Sequence, residues 1–245
     1  MNQHRFRSRT AAAGLLLIHF GLLCACSRSA SPDDAAVPRA PSNARVFRFE
    51  DGTPGSSPPG FTAALTGGGG PVRWEIQEAA DAPPGGKVAA QLSADKTDAR
   101  YPHLVRDDVS ASDVDVSVRF KTLRGEIDAS AGLVFRYLDA DNYYVVRANA
   151  LESNVVAYKT ENGRRSSIGV KGDGGAYGVE AEVPHEQWNS LRVIARGRLF
   201  EIFLNGTKLF EVENVTFTEA GKVGLWTKAD AVTQFDDFTV VSIGK

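Results

Sequence analysis

The stretch SAGLVFRYLDADNYYVVRANALESNVVAYKTENGRRSSIGVK, Ser130 to Lys171, decides the fold. Four runs of β-branched and aromatic residues are joined by three short polar connections, the pattern of an antiparallel meander. Taking Asp139-Ala140-Asp141-Asn142 as the first turn sets Leu138 against Tyr143, Arg136 against Val145 and Val134 against Arg147. Leu133, Phe135 and Tyr137 then meet Ala148, Val146 and Tyr144 on the opposite face. Taking Ala150 to Ser153 as the second turn sets Asn149 against Asn154, Arg147 against Val156 and Val145 against Tyr158. Asn162-Gly163, between Glu161 and Arg164, is a two-residue hairpin signal. One face is almost wholly apolar, and Phe135, Tyr144 and Val146 are predicted core. The other gathers Arg136, Tyr143, Arg147, Asn149, Asn154 and Tyr158, a mixture of aromatic, amide and guanidinium groups.

The flanking segments are read the same way. DVDVSVRFKTL (113–123) alternates, with Val114, Val116, Val118 and Phe120 on one side and Asp115, Ser117, Arg119 and Lys121 on the other. Shorter strands are predicted at Arg45–Glu50, Phe61–Leu65, Val72–Gln77, Lys87–Leu92 and Tyr101–Arg106. Downstream come Asn189–Arg196, then Leu199–Leu204 and Thr207–Val212 joined by Asn205-Gly206, then Lys222–Lys228 and Thr233–Val241. About a dozen strands, with no amphipathic helical period beyond about two turns, predict an all-β sandwich or jelly roll.

The N-terminus reads as a processing segment. Arg5, Arg7 and Arg9 precede an apolar run of 13 residues, Ala11 to Leu23, too short to span a bilayer. Leu23-Cys24-Ala25-Cys26 resembles the lipobox of secreted bacterial lipoproteins, which implies cleavage before Cys26 and lipidation of that residue. The expected organisation is a signal peptide at 1–25, a small, polar, Pro-containing tether at 26–44 and one domain at 45–243. The resemblance places the domain at the bacterial cell envelope, lipid-anchored to a membrane and facing the periplasm or exterior. Both cysteines, Cys24 and Cys26, lie in this segment, so the domain has no disulfide and no cysteine chemistry. The chain has 28 basic and 30 acidic residues, a net charge of −2; removing residues 1–25 takes three Arg and no acid and leaves −5. That balance gives no electrostatic case for nucleic acid. Oligomeric state is not legible.

A family resemblance rests on WNSLRV (188–193), FEIFLNGTKLF (200–210), GKVGLW (221–226) and FDDF (235–238). In that order they resemble the concanavalin A-like lectin/glucanase superfamily over Val46 to Val241. Within it, the likeness is to laminin-G-like domains and to the bacterial family named for 3-keto-disaccharide hydrolases. The resemblance implies an antiparallel two-sheet jelly-roll sandwich. It leaves activity open, since the fold hosts lectins, glycosidases and interaction modules.

Four groupings are candidates for chemistry. Glu126-Ile127-Asp128 matches part of the E-I-D motif of family-16 glycoside hydrolases, but Ser130 or Ala131 stands where a second Glu is needed. A solvated loop accounts for it better. His103 and His185 have no metal-ligand spacing, and no serine has a nucleophile elbow. Hard oxygen ligands for a structural calcium are offered by Glu50 and Asp51 on the first strand with Asp236 and Asp237 on the last, which the superfamily brings together; Asp139 to Asn142 is a second set. Solvated acids and an Asx turn are the alternatives. Finally, sugar rings stack on aromatics and their hydroxyls suit Arg and Asn. Arg136, Tyr143, Arg147, Asn149, Asn154 and Tyr158 supply such a face, with Arg119 joining from the preceding strand and Trp226 and Lys228 flanking it. The alternative packs Tyr143 and Val145 under a loop with Arg147 snorkelling. The expected function is a non-catalytic carbohydrate-binding or envelope-interaction domain; the alternative is a glycoside hydrolase or lyase acting on sugars such as 3-keto sugars.

Overall fold

The computed structural model describes residues 43–82 and 85–244. The signal peptide, Cys26 and nearly all of the tether lie outside the described residues. Sixteen strands and no helix are found among them. Two curled antiparallel sheets of eight strands form a sandwich. The first sheet runs β14 (Thr207–Glu213), β13 (Leu199–Leu204), β12 (Asn189–Arg196), β6 (Val114–Arg124), β16 (Val232–Ser242), β4 (Lys87–Gln91), β3 (Trp74–Glu78). Its β1 (Arg45–Phe47) also pairs with β16, so the first and last strands do lie together. The second sheet runs β10 (Arg164–Ser167), β9 (Asn154–Glu161), β8 (Asn142–Asn149), β7 (Ser130–Asp139), β15 (Lys222–Trp226), β5 (Arg100–Arg106), β2 (Phe61–Gly67). The two-residue β11 (Val179–Glu180) adds to β9 and has no signal in the sequence.

Alternation explains the main core. Val114, Val116, Val118 and Phe120 of β6 point across the sandwich to Leu133 and Phe135 of β7 and Tyr144, Val146 and Ala148 of β8, all fully buried. Phe135 stacks on Tyr144 with centroids 5.4 Å apart, and both meet Phe200 edge to face at 5.0 and 4.9 Å. These inward rows are why the sheets stay face to face.

The meander has the expected register on two of its three hairpins. Asn149 faces Asn154, Arg147 faces Val156 and Val145 faces Tyr158; Glu161 faces Arg164 around Asn162-Gly163. The first hairpin differs. Its turn is only Ala140-Asp141, with Asp139 opposite Asn142. A bulge between Phe135 and Asp139 then slips the pairing by two, so Val134 faces Val145 and Gly132 faces Arg147. Arg136 sits in the bulge with φ of 45°. The distortion makes Arg136 and Tyr137 exchange faces. The Arg136 guanidinium turns toward the core and donates to the carbonyls of Ser112 (2.7 Å), Phe217 (2.8 Å) and Gly197 (2.5 Å), over the Phe200 ring. Tyr137 swings to the outer face, beside Tyr143 and His103. The expectation that Arg136 joins the recognition face is therefore overturned.

Arg119 is overturned as well. Consecutive strands β6 and β7 belong to different sheets, and Arg119 pairs with Ser190 and Asp236 on the outer side of the first sheet.

The second sheet curls so far that its outer face closes on itself. Arg165 of β10 lies 4.6 Å from the ring of Tyr101 on β5, although four strands separate them in the sheet. The Thr66 hydroxyl of β2 bonds to the Tyr143 hydroxyl at 2.9 Å and to the Ala140 carbonyl. Inside the curl Val134, Tyr143, Val145, Val156, Tyr158 and Trp226 form a second apolar cluster, with Tyr101 and Tyr137 packed against it.

Candidate functional site

The polar residues of this face collect at one mouth of the curl. Asp128 enters it from the loop between β6 and β7. That loop is held tightly. The Asp230 carboxylate accepts hydrogen bonds from the backbone N–H groups of Glu126 (2.8 Å), Ile127 (3.0 Å) and Asp128 (3.1 Å). A Cβ on Gly125 would stand 1.7 Å from the Asp128 carbonyl oxygen, so only glycine permits this approach. Glu126 points to solvent and pairs with Lys96. Asp128 is fully buried. The solvated-loop account thus holds for Glu126 and Ile127 but fails for Asp128.

Asp128 accepts from the Ser130 hydroxyl and from Asn149 Nδ2 at 3.3 Å, and lies 3.4 Å from Lys228 Nζ. Burial raises its pKa, against the pull of Ser130, Arg147 and Lys228. Lys228 also reaches Asp98 at 2.5 Å. Burial works against the ammonium, but Asp98 and Asp128 outweigh it and its pKa is raised. Arg147, 1 % exposed, is the other fixed cation. It donates to Asn154 Oδ1 (2.9 Å), Glu152 Oε2 (2.7 Å) and the Tyr158 hydroxyl (3.1 Å). Asn149 Oδ1 accepts from the Leu151 N–H and shapes the turn that carries Glu152. Tyr177 stands at the rim, 56 % exposed, its hydroxyl bonded to that of Tyr158. It is followed by Gly178 at φ 68°, where a Cβ would meet the Val155 carbonyl at 2.5 Å.

The structure thus brings Arg147, Asn149, Asn154, Tyr158, Trp226 and Lys228 together. Tyr143 lies deeper, fully buried in the curl. Asp98, Asp128, Glu152, Arg165 and Tyr177 belong to the mouth but were not singled out in the sequence as part of this face. Arg165 was within reach of the pattern: the Asn162-Gly163 hairpin sets it opposite Thr160, two residues from Tyr158.

Of the calcium candidates, Asp139 to Asn142 form the β7–β8 turn, where Asp139 Oδ1 accepts from the Asp141 N–H at 2.8 Å and from Asn142 Nδ2 at 2.9 Å, as in an Asx turn. The other set belongs to the first sheet, with Glu50 and Asp51 just beyond β1 and Asp236 and Asp237 on β16. Asp237 accepts from Arg48 Nε at 2.9 Å, and Glu50 Oε1 accepts from the Lys87 N–H at 3.2 Å. Asp236 is fully buried and its Oδ2 has no hydrogen-bond partner. Burial, with help from Asp237 and Glu50, pushes its pKa up to about 7. Among the described residues no three His, Cys, Asp or Glu side chains gather as a metal cluster.

A family model described as 3-keto-alpha-glucoside-1,2-lyase-like domain matches residues 62–241. The chain belongs to this lyase-like domain family. Its fold is shared by solved carbohydrate-related proteins. The carbohydrate binding module CBM66 from Bacillus subtilis superposes with a TM-score of 0.57 at 22% identity, over 75% of this chain and 96% of that one. The cellulose induced protein Cip1 gives 0.57 at 12% identity, over 82% and 100%. At these identities the likeness establishes the sandwich fold of the lyase-like domain and nothing further. No curated protein matches the chain.

Proposed function

We propose that the mouth of the curl binds a carbohydrate. The observation that carries this reading is the convergence of one buried carboxylate, one buried ammonium and one buried guanidinium beside an exposed tyrosine. Sugar hydroxyls both donate and accept, so they need fixed acceptors such as Asp128 next to fixed donors such as Lys228 and Arg147. Tyr177 offers a ring face for stacking. The sugar-related solved structures that share the fold support the reading. The test is calorimetry against a panel of oligosaccharides with Tyr177→Ala and Lys228→Met, each checked by thermal melting. Both substitutions are expected to weaken binding at least about tenfold; binding unchanged by either refutes the site.

A second reading is elimination on a 3-keto glucoside, favoured by the family and by Asp128 itself. A base removes the C2 proton beside the ketone, the electron pair forms the C1–C2 double bond, and the C1–O bond breaks with the proton passing to the leaving oxygen. A buried carboxyl with raised pKa suits the proton transfer, and Lys228 and Arg147 suit the developing negative charge on the keto oxygen. Release of the aglycone from a 3-keto-α-glucoside, lost in Asp128→Asn, supports it; no turnover removes it. The lipid anchor at Cys26 and the envelope location belong to the same proposal, on the strength of Leu23 to Cys26. Radiolabelled palmitate incorporation that disappears in Cys26→Ser tests that part.

A further inference from the structure

Arg165 is the cation that the mouth leaves without a partner. It lies on the same side of β10 as Tyr158 on β9, and its guanidinium stands 4.4 Å from the Tyr158 ring, 4.6 Å from Tyr101 and 5.6 Å from Trp226. Three ring faces fix its position. The carboxylates nearby are already engaged: Asp98 and Asp128 by Lys228, Glu152 by Arg147. Among the described residues Arg165 forms no ion pair and donates no hydrogen bond, and its Nη1 is a buried donor without a partner. The residue as a whole stays partly exposed, so a ligand can reach it. A guanidinium held rigid, with its donors unspent, matches the two oxygens of a carboxylate or sulfate better than it matches single hydroxyls.

We propose that Arg165, held by Tyr101, Tyr158 and Trp226, reads an anionic group on the bound sugar, so that the mouth takes acidic saccharides. This rests on the reading of the mouth as a sugar site. Arg147, Asp128 and Lys228 serve the hydroxyls; Arg165 serves the anion.

The test measures affinities of the full-length chain, Arg165→Gln and Arg165→Lys by calorimetry. The probes are an oligogalacturonate, its methyl ester and a sulfated oligosaccharide of equal length. The wild-type chain is expected to bind a charged form on the order of tenfold or more tighter than the ester. Whether the carboxylate or the sulfate is favoured identifies the anion. Added salt narrows the preference. Arg165→Gln brings the charged and neutral affinities together, and Arg165→Lys keeps only part of the difference because it lacks the fork. Equal wild-type affinities for acid and ester, or a preference that survives in a folded Arg165→Gln, overturns the proposal and leaves the sugar site standing. Failure of every saccharide to bind overturns both.

Discussion

Trp226→Ala tests whether the curl is a true second core. Trp226 has no exposed surface. Its ring stacks on Tyr101 with centroids 5.6 Å apart and planes 14° apart, and Arg165 closes it from the β10 side. An indole buries on the order of 200 Å², which at about 25 cal/mol per Å² is worth about 5 kcal/mol. Alanine recovers a little of that, and the rigid strands around the site hinder collapse into the cavity, so a loss of about 3–5 kcal/mol is expected. For a domain of this size that corresponds to a fall in melting temperature of about 6–20 °C. Urea titration followed by circular dichroism gives the free energy directly, with an unchanged m-value showing that the folded state stays compact. If Trp226 were an open stacking platform on the surface, the cost would be within about 0.5 kcal/mol. A measured loss below about 1 kcal/mol refutes the enclosed curl.

Three further outcomes follow from buried charge. Burial holds the His103 pKa down to about 4, well below its usual 6.5, so between those values the unfolded chain binds more protons and stability falls as pH drops. The stability is intact above about pH 6.5 and declines by up to about 3 kcal/mol toward pH 4; urea midpoints across that window should flatten in His103→Gln, and an unchanged slope contradicts the assignment. Arg136→Lys cannot reach three carbonyls with one ammonium, and a loss of about 2–4 kcal/mol in the same titration is expected; a lysine variant as stable as the parent would show that the bulge does not depend on the guanidinium. Burial pushes the Asp236 pKa up to about 7, so the folded state binds the extra proton and stability falls as pH rises from about 4 to 7; this fall should vanish in Asp236→Asn, and a slope of urea midpoint against pH that the variant leaves unchanged contradicts it.

Much of the sandwich was legible because its strands alternate. The β8–β9 and β9–β10 registers followed from short turns, and Asn162-Gly163 permits little else. The β7–β8 slip was not legible. It is specified by the carbonyls of Ser112, Gly197 and Phe217, which lie far from Arg136 in the chain and which no local pattern displays. The slip is by two residues, and period-two alternation survives a shift of two. That is why Tyr143, Val145 and Arg147 keep their expected side while Arg136 and Tyr137, inside the bulge, do not. Arg119 failed for another reason: alternation assigns a face within a strand but cannot say which sheet the strand joins. The curl was hidden too, because it depends on β10 meeting β5 across four intervening strands.

The two readings of the meander's outer face, recognition surface or packed layer, turn out to describe different depths of one structure. Tyr143, Val145 and Tyr158 are as buried as the main core, so the trough of the curl cannot hold a ligand. Yet an interior selected for stability alone would be apolar or fully hydrogen-bonded. This one keeps His103 Nδ1, Arg147 Nε, Thr160 Oγ1, Arg165 Nη1 and Trp226 Nε1 without protein partners. Unmet donors and acceptors of this kind cost stability wherever they occur, and chains retain them where something else is gained. Arg147 and Arg165 stand at the mouth beside the exposed ring of Tyr177, where the curl opens to solvent. The packed trough therefore serves the mouth. Its rings hold two guanidinium groups in place at its open end, beside the exposed ring of Tyr177.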